Sequence, residues 1–120
     1  MDSIPPKVQN QLAMLQQMQQ QLQTIVSQKA QYEMTVREAK RAVEDLGDVA
    51  EDANVYMSVG TVMMQQSKEK VLASLNEKIE NLELRIKSLE KQEKTLQGRF
   101  EQLSAQVKGA LEGQQPPGAS

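Results

Sequence analysis

Few side chains in this chain can do covalent or acid–base chemistry. Histidine and cysteine are both absent, which excludes imidazole catalysis, thiolate nucleophiles, disulfides and Cys/His zinc sites. The acidic group Asp45, Asp48, Glu51 and Asp52 could attract a cation weakly, but it lacks the alternating ligand spacing of a calcium loop. It reads as a solvated linker. No glycine-rich phosphate loop of the form G-x-x-x-x-G-K-[ST] is present. The sequence therefore predicts no catalytic residue, no metal, no cofactor and no enzymatic activity.

What remains is the chemistry of apolar burial, and two groups of residues offer it. One is the run Val55, Tyr56, Met57, Val59, Gly60, Val62, Met63 and Met64 near the middle of the chain. The other is split between the two ends: Ile4, Val8, Leu12, Met14 and Leu15, with Phe100, Leu103, Val107 and Leu111. Methionines such as Met14 and Met18 add adaptable, polarizable contacts suited to varied partners.

Heptad repeats position both groups. In the first half, position a falls on Val8, Leu15, Leu22, Lys29, Val36 and Val43, and position d on Gln11, Met18, Ile25, Tyr32, Ala39 and Leu46. In the second half, a falls on Leu72, Ile79, Ile86, Glu93, Phe100 and Val107, and d on Leu75, Leu82, Leu89, Leu96, Leu103 and Ala110. Each run would be about 58 Å long at 1.5 Å per residue. Folding the chain back so that Leu46 meets Leu72 places an a opposite a d in every layer, as an antiparallel coiled coil requires. With two Tyr, one Phe and no Trp, an aromatic-rich globular core is not expected.

The expected fold is thus mainly α: an antiparallel two-helix coiled coil with one β-hairpin between the helices. Residues 1–112 form a single coiled-coil domain, with a helix over about 6–46, a linker and hairpin over about 47–66, and a helix over about 67–111. Residues 113–120 read as a disordered Gly/Pro tail. Pro5 and Pro6 suit the first turn, Gly47 a C′ stop and Ser67 an N-cap. A type II′ turn at Gly60-Thr61 pairs Val59 with Val62, Met57 with Met64 and Val55 with Gln66, giving one nearly apolar face. An isolated hairpin is marginal in water and has open edges. Hairpins from several subunits are therefore expected to assemble into a β-barrel platform.

At the open end of the coil, apolar residues exceed what a seam needs. Leu12 and Met14 occupy e and g, widening the face beyond Val8, Leu15 and Met18. Gln11 puts an amide in the seam, and Gly98 and Gly109 each cost about 1 kcal/mol relative to Ala inside a helix. A frayed, apolar tip is expected.

Charge narrows the partners. Residues 1–46 carry five basic and five acidic groups, residues 47–67 three acidic and none basic, and residues 68–120 nine basic and eight acidic. No basic stripe suited to nucleic acid is present. Neither a signal peptide nor 18 consecutive apolar residues can be found, so no membrane association and a cytoplasmic location are expected. Two kinds of binding fit: adaptable apolar contacts with varied protein partners at the tips, or a structural coiled-coil adaptor that binds one specific folded partner.

Local strings carry a resemblance. Val55-Tyr56 with Val59-Gly60, and the stretch Leu75-Asn76-Glu77-Lys78-Ile79-Glu80-Asn81-Leu82-Glu83-Leu84-Arg85-Ile86-Lys87-Ser88-Leu89-Glu90-Lys91-Gln92-Glu93, set in the order heptad, hairpin, heptad, resemble the archaeal β-type subunits of prefoldin. The Met63-Met64-Gln65-Gln66 strand departs from the family's aliphatic-Val-Lys run, which leaves the exact strand ends open. The resemblance implies an ATP-independent holdase chaperone. It also implies a hexamer of two α-type and four β-type subunits, a double β-barrel platform, client contacts at the tips and delivery of clients to a group II chaperonin.

Overall fold

The computed structural model describes residues 4–113. Helix α1 spans Pro6–Gly47, strands β1 and β2 span Val55–Val59 and Val62–Gln66, and helix α2 spans Lys68–Glu112. The chain is mainly α, with one hairpin between two long helices, as the heptads and Gly60 predict. Among the described residues, no helix is long and apolar enough to cross a membrane.

The chain divides into two compact units. The unit Lys29–Ser88 holds the second half of α1, the hairpin and the first half of α2. Its helical segments run antiparallel. Leu46 and Leu75 line one hollow, Lys40 Nζ lies 3.1 Å from a Glu83 carboxylate, and Arg85 sits 6.0 Å from the Tyr32 ring. The Lys40–Glu83 pair is well exposed, so it adds little stability. Burial of Val36, Ala39 and Leu82 at a and d positions stabilises this unit more. The other unit joins the start of α1 to the end of α2, and its buried residues are Val8, Leu89 and Val107, again at a or d.

The helix ends follow from local chemistry. Pro6, which has no N–H to leave unsatisfied, opens α1. The Pro5 carbonyl accepts from the Gln9 amide at 3.0 Å, and Gln9 Nε2 donates to the Ile4 carbonyl at 2.9 Å. Ser67 caps α2: its Oγ accepts from the Lys70 amide at 3.2 Å, an arrangement worth about 1 kcal/mol.

The other end of α1 differs from the expected glycine stop. Gly47 is the last helical residue, and among the described residues the glycine with a positive φ is Gly60. With no left-handed C′ residue, the helix ends by tightening. The Asp48 amide reaches the Asp45 carbonyl at 3.2 Å, and the Val49 amide reaches that of Leu46 at 3.1 Å, both three-residue bonds of the 3₁₀ kind. At the other terminus Gly113 donates to the Gly109 carbonyl at 2.9 Å. The rest of the tail expected over 113–120 lies outside the described residues.

Candidate functional site

Gly60 determines the geometry of the hairpin. Its φ is 60°, while among the described residues no non-glycine residue has a positive φ. A type I′ turn needs two such residues and a type II′ turn only the first, so the turn is the type that its sequence predicts. The register pairs Val55 with Gln66, Tyr56 with Gln65, Met57 with Met64, Ser58 with Met63 and Val59 with Val62. Side chains alternate across a strand. Val55, Met57, Val59, Val62 and Met64 therefore share one face, and Tyr56 and Met63 lie on the other.

The helices cover only the base of the apolar face. Val55 and Met57 are half-buried. They line a hollow of about 430 Å³ with Leu46, Val49, Val71 and Leu75. Beyond that hollow Val59, Val62 and Met64 are exposed, and so is Met63 on the reverse face; Tyr56 is exposed as well, although it borders the hollow. Both strands are edge strands, so each presents unpaired backbone groups alongside bare apolar side chains.

The second predicted site is the start of α1 with the end of α2, and one unit holds all nine of its residues. Ile4, Met14 and Leu111 are exposed. Leu12, Leu15, Phe100 and Leu103 are half-buried. Val8 and Val107 differ from the expected frayed tip. At 4% and 5% exposure they are the most covered apolar residues described. They close the seam, and the hydrogen bonds from Gln9 back to Ile4 and Pro5 tie down the turn before them. Of the nine predicted residues, Ile4, Met14 and Leu111 are therefore the accessible ones.

Outside the two sites, Val26, Met34 and Leu84 are also exposed apolar residues of the helices. In the unit that holds the helix ends, a groove of about 760 Å³ is lined by Gln17, Gln20 and Gln21 of α1 and Lys91 and Arg99 of α2, together with the seam residues Ile25 and Leu96. Among the described residues, no group of three or more His, Cys, Asp or Glu is placed to hold a metal ion. Heptad reasoning missed two features. Val71 is buried at a g position because it sits under the hairpin. Lys68, which opens α2, reaches back to the Val49 carbonyl at 2.8 Å. Neither leaves a periodic signal in the sequence.

The arrangement of two long heptad helices around one β-hairpin is matched by the family model described as "Prefoldin subunit" over residues 9–114, and the chain belongs to that family. Its type follows from its relatives. It is 81% identical to the prefoldin subunit beta of Methanoculleus marisnigri over 98% of each chain. It is 58% identical to that of Methanospirillum hungatei over the full length of both. The crystal structure of the prefoldin beta subunit from Thermococcus strain KS-1 aligns at 43% identity with a TM-score of 0.84, covering 97% of this chain and 100% of that one. The chain is thus a β-type archaeal prefoldin subunit: a non-enzymatic chaperone chain that works as part of a prefoldin complex.

Proposed function

We propose that this chain is the β-type subunit of a cytoplasmic hexamer with two α-type partners, and that it acts as an ATP-independent holdase. In this reading the exposed hairpin faces of six subunits close into a β-barrel platform. The paired helix ends capture unfolded polypeptides, and the clients pass to a group II chaperonin. One observation supports it: Ile4, Met14 and Leu111, apolar residues from near both ends of the chain, are exposed within one unit, in which Val8 and Val107 are buried. Each such patch is small and binds weakly. Several in one assembly raise the effective concentration and still let a client go.

The test is an aggregation assay with chemically unfolded proteins of unrelated sequence. The complex of this chain with its α-type partner is expected to suppress aggregation of each without nucleotide. Replacing Ile4, Met14 and Leu111 together by Gln is expected to weaken suppression severalfold. Exposed substitutions of this kind move stability by only about 0.5 kcal/mol each. The adaptor reading predicts no protection of unrelated proteins, and that result would replace the holdase reading with it.

A further inference from the structure

Lys68 stands where a cation is least welcome. It opens α2, and the first turn of a helix carries the positive end of the backbone dipole. Its neighbour Glu69 has the favourable sign, and Ser67 already caps the helix. Nothing within α2 calls for a lysine there. Its side chain is nonetheless only 11% exposed. Nζ donates to the Val49 carbonyl at 2.8 Å and lies 3.7 Å from a Glu51 carboxylate.

The end of α1 explains the reach. Its last turn contains no basic residue. Instead Glu44, Asp45 and Asp48 crowd the negative end of its dipole. Lys68 supplies the missing cation from the next helix, across 19 residues of chain. It also holds the linker between its two turns: the Val49 amide bonds back to Leu46, and the Ala53 amide bonds to Ala50. One residue further on, the Asn54 Oδ1 accepts from Gln65 Nε2 at 2.9 Å and ties the linker to β2.

We infer that Lys68 is a positioning residue, an ammonium latch that fixes the linker and thereby the angle at which the hairpin is offered to other subunits. The inference relies on the assembly role proposed above for the hairpin. A swinging hairpin would have to be ordered at each association, which weakens closure of the platform. A latched one meets its neighbours already oriented.

Lys68→Met keeps the stem and helix propensity but removes the charge, whereas Lys68→Arg keeps a donor. The full chain is used, alone and with its α-type partner. Three quantities are read: helix content, hydrogen exchange at the Val49 and Ala53 amides, and the concentration at half-assembly. Lys68→Met is expected to leave helix content unchanged, speed linker exchange about tenfold and raise the half-assembly concentration by a similar factor. Lys68→Arg should restore both. Unchanged linker exchange in Lys68→Met overturns the latch. Faster exchange with unchanged assembly overturns the positioning role. Equal loss of helix content in both variants reduces Lys68 to a part of the fold and overturns it as well. Failure of the unsubstituted chain to assemble would count against the hairpin reading alone, since linker exchange is measured on the isolated chain.

Discussion

Replacing Val62 and Met64 together by Asp is expected to abolish co-assembly with an α-type partner and leave both helices intact. The two side chains are exposed on the isolated chain, so the substitution adds no buried charge to its fold. In a closed platform the same face is covered. Each unpaired carboxylate would then lose its hydration without a partner, at a cost of several kcal/mol. Two such costs exceed what a modest interface can offset. Solution mass should drop from that of the complex to that of free subunits, while helix content stays near that of the parent. A complex of unchanged mass would show that this face of the hairpin is not the assembly surface. Val55 and Met57 would make a poorer test, since they already pack at the base of the hairpin over Leu46, Val49, Val71 and Leu75.

Leu82→Ala is expected to be the most costly single truncation in the Lys29–Ser88 unit. Leu82 is 9% exposed at a d position, and a buried Leu→Ala change costs about 2–5 kcal/mol through lost transfer energy and the cavity left behind. A domain of ordinary stability has only about 5–15 kcal/mol in all, so the melting temperature should fall by roughly 10 °C. Leu84, two residues on and at an f position, is 59% exposed. Its replacement by Ala should change stability by no more than about 0.5 kcal/mol. Thermal unfolding of the two variants side by side tests the heptad phase directly. Equal effects would mean that the seam is drawn through the wrong residues.

The fold was legible in the sequence wherever a single periodicity governed it. A seam of heptads leaves a repeat, so Val8, Val36, Ala39, Leu82, Leu89 and Val107 could be placed inside from the repeat alone. The hairpin register was legible because one residue, Gly60, can take a positive φ at no steric cost, and every pair follows from that turn. What stayed hidden lies where the period stops. Gly47 has a stop residue's composition, but the helix closes with three-residue hydrogen bonds instead. Val71 is buried by a tertiary neighbour rather than by its heptad position. Lys68 looks like one more surface lysine, and only the fold shows its ammonium reaching the end of the other helix.

The exposure of the residues at the proposed tip was legible in part. Of the extra apolar residues, Met14 at g is exposed and Leu12 at e is half-buried, and composition could not show which tip residues the seam consumes. Val8 and Val107 fill it. Ile4, Met14 and Leu111 remain on the surface. Exposure alone does not make a binding site, because single exposed apolar residues are ordinary. Met34 and Leu84 are more exposed than any of these three.

That contrast supplies the most direct measurement. A photo-reactive amino acid would be placed in turn at Met14, Leu111, Met34 and Leu84 in the complex with the α-type partner, and an unfolded client would be added before illumination. Covalent capture of the client should be strong from positions 14 and 111 and near background from 34 and 84, despite the greater exposure of the latter pair. Equal capture from all four positions, or capture from 34 and 84 alone, would contradict client binding at the paired helix ends.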